Sequence, residues 1–262
     1  MQAPIITLTT DWGTQDYFAG RLKGHLLSAL PHARIIDITH QLPPFNPLGA
    51  VPFLRNACTA FPQGTIHLID ANSNSNSRFI VALCQGHYFV TTDSGILFPA
   101  FGQPCDKAVL LSPLPEALGP FVADTVMLPA VISLAQGTPL EQLGETISES
   151  LGSQTIYCQE QVNSPNSYSI TITRVDRYGN ACLGINRQEF ERIRQGRSFS
   201  MKVCGDDRRI TQLSRSYVPS PDGNQTILLE GCDGYLQVAM IHQNASKLLG
   251  LLAGSLVVVT FQ

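Results

Sequence analysis

The chain is short of charge. Only 14% of its 262 residues are Asp, Glu, Lys or Arg, and 17 basic against 20 acidic residues leave a net charge of −3. Without a basic excess there is no electrostatic footprint for nucleic acid, and binding to an anionic membrane surface is equally unsupported. Long hydrophobic runs are missing too. The most apolar stretch, Leu248 to Phe261, is broken by Gly250, Gly254 and Ser255 and falls short of the roughly 20 residues that a spanning helix needs. The first residues, Met1-Gln2-Ala3-Pro4-Ile5, carry no positive n-region, so no secretory signal is expected. The 7 cysteines contain no C-x-x-C pair, and the 6 histidines show no H-E-x-x-H or other ligand spacing. No metal site is expected from them. The thiols are expected to be reduced and mostly buried in a cytoplasmic protein. A phosphate-cradling G-x-x-x-x-G-K-[ST] and a G-x-S-x-G nucleophile elbow are both absent.

What is present is a 44% apolar chain, long enough for one or two packed domains and too apolar for disorder. Residues 5–9 read as a buried strand followed by turn chemistry at Thr10-Asp11-Trp12-Gly13. Phe18, Leu22, Leu26 and Leu30 then mark one face of a helix that Pro31 stops. Strands at 34–39 and 65–70 flank a helix expected from Asn46-Pro47 to about Ala60, with Asn46 as cap. Further strands are expected at 80–83 and 88–92, and a helix over 124–136. Strands alternating with helices predict a mostly parallel sheet with helices on its faces. After about residue 150 the segments become short and alternating: 169–175, 198–203, 226–229, 235–240 and 256–261. One helix, 186–193, opens on an Asn186/Glu189 capping box. The fold class is therefore α/β. An N-terminal domain of mostly parallel sheet and helices spans 1–150, a linker 151–160, and a small antiparallel β-barrel domain 161–262.

Three polar constellations stand out. Thr10-Asp11-Trp12-Gly13-Thr14-Gln15-Asp16 lies just past a strand, where open α/β sheets bind ligands. Its two carboxylates suit a divalent cation or a sugar diol, and either also suits a helix cap. The run from Asp70 through Asn72 to Arg78 is either a solvated loop or a binding loop anchored by two buried strands, with Arg78 expected to pair with Asp70 and hold it ionised. Asp176-Arg177-Tyr178-Gly179-Asn180 is either a turn or a purine site, since a purine offers a π-face to a tyrosine and an edge to an amide.

Together these pieces resemble the S-adenosylmethionine (SAM) hydroxide adenosyltransferases, relatives of the fluorinase and chlorinase. The resemblance rests on Thr9-Thr10-Asp11-Trp12-Gly13-x-x-Asp16, Lys23-Gly24, Asp37-Ile38-x-His40, Pro43-Pro44-Phe45, the Asp70 loop, Asp93-x-Gly95, Asp176 to Asn180, and Gly234-Tyr235-Leu236 with Asn244-Ala245. It implies a homotrimer with active sites between subunits, no cofactor and no metal, and displacement of L-methionine from C5′ of SAM by water or hydroxide to give adenosine. It also implies roles. Asp11 holds the ribose hydroxyls, and Phe45 lies over the substrate near the ribose. Tyr178 and Tyr217 flank the adenine, Asn180 and the Asn244-Ala245 backbone read its edge, and Asp176 stands near the methionine ammonium. Asp70 belongs to an Asp–Arg–His set that handles water, with Arg78 the arginine available to it, and Asn72, within the same loop, is expected to bind the substrate. The first arginine position of that set is Ser77 here, and its histidine position is Val122. These departures leave a non-catalytic SAM or adenosine binder as the alternative. A halogenase is disfavoured, because a halide about 4 Å from Asp70 would be repelled by roughly 4 kcal/mol at an effective dielectric of about 20.

Overall fold

The computed structural model describes residues 3–112, 114, 121–147, 161–164, 166–203, 209–218 and 225–262. The expected linker, 151–160, lies outside them. The chain divides into two compact units, Met1–Thr155 and Ile156–Gln262. Among the described residues no helix is long and apolar enough to cross a membrane.

The first unit is a seven-stranded sheet. Its strands are β1 (Ile5–Thr10), β2 (Arg34–Thr39), β3 (Ile66–Asp70), β4 (Phe79–Cys84), β5 (His87–Thr92), β6 (Lys107–Leu111) and β7 (Gly144–Thr146). They lie in the order β2-β1-β3-β5-β4-β6-β7. The run β2-β1-β3-β5 is parallel, while β4, β6 and β7 join antiparallel. Two faces covered by helices explain why β1 and β3 are buried almost throughout, Thr7, Thr9, Thr10 and His67 included. On one face Leu22 and Leu26 of α1 (Phe18–Ala29) pack with Ile6, Leu8, Ile66 and Leu68. On the other, His67 and Phe89 meet Phe61 and Phe101 beside α2 (Val51–Asn56) and α3 (Leu97–Phe101).

Several local expectations are corrected. The helix expected over 46–60 is broken into 3-10 turns at 47–50 and 58–60 around the short α2, and Asn46 makes no side-chain cap. Pro52 has no N–H to continue the ladder from the preceding turn. The helix expected at 124–136 opens as a π-turn, Ala123–Met127, before α4 (Leu128–Ala135). Pro129 cannot donate to the carbonyl of Thr125, which relaxes the α-helical register there. The cysteines are not all reduced: Cys84 and Cys105 form a disulfide that ties the end of β4 to the approach to β6. A single sequence shows spacing, and proximity of these two thiols comes only from the β4–β6 pairing.

The second unit is a curled sheet of nine strands: β8 (Gln161–Ser164), β9 (Ser167–Val175), β10 (Ala181–Asn186), β11 (Phe199–Lys202), β12 (Arg209–Ile210), β13 (Leu213–Ser214), β14 (Thr226–Glu230), β15 (Tyr235–Met240) and β16 (Leu256–Phe261). The pairings are antiparallel except that β13 and β14 run parallel. One core, with Ile172, Leu183, Leu228, Val238 and Val259 at its centre, gathers residues from across the sheet. Phe190 of α5 (Arg187–Arg194) plugs it, edge-on to Phe199. The capping box of α5 is present: Glu189 N–H donates to Asn186 Oδ1 at 2.8 Å, and Asn186 N–H donates to Glu189 Oε2 at 3.2 Å. A last short helix, α6 (Ala245–Leu249), is capped by Asn244, whose Oδ1 accepts from Lys247 N–H.

Candidate active site

In the first unit the chain leaves β1 for β2 on one side and returns to β3 on the other. The C-terminal ends of β1 and β3 therefore open the crevice in which α/β sheets bind ligands. Their register sets Thr10 opposite Asp70, and Asp11 N–H donates to the Asp70 carbonyl at 3.2 Å. Two carboxylates thus meet at one crevice. Asp70 is 2% exposed, and its Oδ1 has no hydrogen-bond partner. Its Oδ2 accepts from the indole N–H of Trp12 at 3.0 Å. Burial, with added repulsion from Asp11, pushes the Asp70 carboxyl up to about 6 against the pull of Ser73 and Trp12.

The loop after Asp70 organises itself. Asn72 adopts a left-handed conformation, φ 57°, which asparagine tolerates, and its N–H donates to Asp11 Oδ2 at 3.0 Å. Asn74 and Ser77 close a tight turn: Asn74 N–H donates to Ser77 Oγ, and Ser77 N–H to the Asn74 carbonyl. Arg78 does not pair with Asp70 as expected. Its Nε lies 3.5 Å from Asp93 Oδ2, and its carbonyl accepts from Asp93 N–H. The turn at 74–77 and the start of β4 direct the side chain to Asp93, a long-range consequence that local sequence does not reveal. Val122 is buried in the apolar core of the first unit. Its neighbour Phe121 meets Trp12 edge-on at 4.8 Å.

Polar groups also gather around His40. Thr10 Oγ1 and His40 Nδ1 are 2.7 Å apart, His40 Nε2 lies 3.2 Å from Asp37 Oδ1, and Lys23 bonds the other Asp37 oxygen. Burial alone would raise Asp37. The Lys23 hydrogen bond and the His40 charge hold it below the usual carboxylate range instead. Phe45 follows Pro44 at φ 60°, a strained conformation for an aromatic residue, and is 83% exposed. Asp16 is exposed, and among the described residues no group of three or more His, Cys, Asp or Glu side chains is placed to hold a metal.

The second unit has a cavity of about 530 Å³ lined by Tyr178, Asn180, Tyr217, His242, Gln243 and Asn244, with Met240. That size suits a ligand of nucleoside dimensions. Asn180 is buried, and its Nδ2 donates to Asp176 Oδ2 at 2.9 Å and to Tyr217 Oη at 3.2 Å, while Gln237 Nε2 donates to the same Oη at 2.8 Å. Asp176 Oδ1 accepts from the N–H groups of Tyr178 and Asn180. Asp176 therefore builds the turn and does not line the cavity. Gly179, φ 88°, lets the turn approach Asn244 so closely that a Cβ would lie 2.2 Å from that side chain. The Gly179 carbonyl accepts from Ser246 N–H, which locks the turn to the start of α6. Ala245 is buried within that clasp. Tyr178, 80% exposed, and Tyr217 offer aromatic faces at the cavity.

The structure thus gathers Asp11, Asn72 and Asp70 at one crevice of the first unit and Tyr178, Asn180, Tyr217 and Asn244 around one cavity of the second. The sequence reading missed Trp12 as a partner of Asp70, and Gln237, which holds Tyr217. Trp12 carried a signal, being the only tryptophan of the chain.

Comparison with known proteins bears on the family and the fold. The chain is 29% identical to a (R)-S-adenosyl-L-methionine hydrolase of Thermus thermophilus, covering 96% of this chain and 97% of that protein. It is 26% identical to a (R)-S-adenosyl-L-methionine hydrolase of Methanocaldococcus jannaschii, over 94% and 92%. A crystal structure of a conserved protein from Thermotoga maritima, 21% identical, superposes with a TM-score of 0.80 over 97% of this chain and 99% of that one, which shows the shared fold. The SAM hydroxide adenosyltransferase N-terminal domain model matches residues 6–144 and the corresponding C-terminal domain model residues 170–258. Matched in order by both models over most of its length, the chain belongs to the SAM hydroxide adenosyltransferase family.

Proposed function

We propose that the protein is a SAM hydrolase that displaces L-methionine from C5′ by water, giving adenosine. The observation that carries this reading is Asp70: a nearly sealed carboxylate with one free oxygen, held beside Asp11 at the crevice of the sheet. Water's oxygen bonds to C5′ as the C5′–S bond breaks and its electron pair goes to sulfur. The proton lost by water passes to Asp70 and then to solvent. Methionine leaves as a neutral thioether, so the departure needs no general acid, and the sulfonium is already activated without a cofactor. Alignment of water with C5′–S is then the main requirement, and positioning contributes about 7–11 kcal/mol in favourable cases. A carboxylate lifted to about 6 is ionised at neutral pH and matched to accepting a proton there.

In this reading Asp11 receives the ribose hydroxyls, and Phe45 covers the sugar. Tyr178 and Tyr217 flank the adenine, with Asn180, Asn244 and the Ala245 backbone at its edge. Asp176 holds the turn that presents Tyr178 and Asn180, while Asn72 and Arg78 shape the loop that carries Asp70. The chain assembles as a homotrimer with active sites between subunits, and works in the cytoplasm. Light scattering that found only monomer would refute the assembly. Incubation with SAM should release adenosine and methionine, and Asp70→Ala should abolish the release. Absence of adenosine after hours with excess enzyme would refute the hydrolase.

A second reading is a non-catalytic binder of SAM or adenosine. The buried Val122 and the engagement of Arg78 with Asp93 favour it, since both take water-handling groups away from Asp70. Tight calorimetric binding without turnover would establish it over the hydrolase.

A further inference from the structure

We propose that Trp12 is the positioning residue for Asp70: its indole N–H, 3.0 Å from Oδ2, fixes the carboxylate so that the free Oδ1 takes the proton of the attacking water. The inference rests on the hydrolase reading and names the aromatic donor that, beside the hydrogen bond of Ser73, holds its base.

Among the described residues no Lys, Arg or His forms an ion pair with Asp70, and Arg78 is drawn to Asp93. A guanidinium in that place would orient the carboxylate but favour its charged form, depressing basicity by about 1–3 pH units. A neutral indole donor orients it at a smaller cost in basicity, because it brings no charge. The indole is itself over-determined. It stacks on His40, with centroids 6.0 Å apart and planes at 18°, and meets Phe121 edge-on at 4.8 Å. His40 is fixed by Thr10 Oγ1, and the adjoining backbone is tied by Gly13 N–H donating to the His40 carbonyl. A donor held on both sides by packing sets the direction of the lone pairs on Oδ1 through the rigid carboxylate plane, as a supporting shell does for a reactive group.

The titratable groups near this contact are Asp11 beside Asp70, His40 against the indole, and Asp37 with Lys23 behind His40. A test must separate their effect from that of Asp70, and the single tryptophan makes this direct. In the ligand-free protein, Trp12 emission should titrate with a midpoint of about 6, and Asp70→Asn should remove that step. Emission that ignores pH across this range, or that titrates identically in Asp70→Asn, overturns the proposal.

The second arm is kinetic. Trp12→Phe keeps an aromatic ring against His40 and Phe121 but deletes the donor. It should lower kcat for adenosine release by about tenfold with KM for SAM nearly unchanged, and move the acidic limb of the pH profile up by as much as about one unit. An acidic limb that stays in place overturns the proposal whatever the rate does. If Trp12→Phe does not fold, the emission titration decides alone. If the wild-type protein releases no adenosine, the hydrolase reading fails, and the emission titration still decides the contact.

Discussion

Replacing Asp70 with asparagine should make the first unit more stable at neutral pH while abolishing its chemistry. In the folded protein this carboxyl titrates at about 6, against 3.8 for the free group. Between those values the native state keeps a proton that the unfolded chain has released. A group raised in this way contributes stability that is complete below the unfolded value and is lost as pH rises through the folded one. The loss is at most about 1.4 kcal/mol per pH unit and sums to about 3 kcal/mol by neutrality. Asparagine has nearly the same shape, retains a carbonyl oxygen for the Trp12 donor, and carries no charge. Its advantage over aspartate should therefore be about 3 kcal/mol near pH 7 and close to nothing near pH 4. Urea denaturation followed by Trp12 emission measures this, because the only tryptophan lies in the first unit and reports its unfolding alone. Taking the difference between the two proteins at each pH cancels the other titrating groups. A difference that does not change with pH would refute the description of Asp70 as a buried, unpaired carboxylate. Adenosine release by the variant should fall by at least about 10²-fold, and full activity would remove Asp70 from the role of base.

Other expectations follow from the same structure. Gly179→Ala places a Cβ 2.2 Å from the Asn244 side chain at a positive φ, so the clasp between the 176–180 turn and α6 must open. Adenosine affinity by calorimetry should fall by tenfold or more, about 1.4 kcal/mol, with a lowered melting temperature of the second unit. His67, linked to Thr7 and His87 and buried among aromatic rings, is pushed down to about 3, chiefly by burial and also by the charge of His87. A histidine lowered in this way stabilises the fold above its free value and loses that contribution as pH falls through the folded one. His67→Gln should therefore flatten the decline in stability between about pH 6.5 and pH 3, measured by the same denaturation assay. The Cys84–Cys105 bridge spans a sequence separation of 21. Its replacement by two serines should cost about 3 kcal/mol, and an unchanged urea midpoint would show that the crosslink adds nothing.

The sequence by itself determined the main divisions. Apolar runs at 5–9 and 65–70, four-residue spacing from Phe18 to Leu30 and the change to short alternating segments after 150 follow from local rules of burial and periodicity, and the α/β and all-β units follow from them. The Asn186/Glu189 capping box was equally legible, since both partners lie within one helical turn. So was the approximate address of two polar regions, one in each unit: polar residues just after β3, and a tyrosine and asparagine around a glycine turn. Where the reading failed, the cause was distant in the chain or a local rule overridden. Pro52 and Pro129 broke regular helix more than the apolar pattern implied. Cys84 met Cys105 only through strand pairing. Arg78 turned to Asp93 because the 74–77 turn sets its direction, and Asp70 found its donor 58 residues away in Trp12. Composition and spacing placed the reactive groups along the chain. The parallel pairing of β1 with β3 decided which of them meet, and burial in that crevice decided their protonation, because desolvation depends on what surrounds a charge in space and hardly at all on its neighbours in sequence.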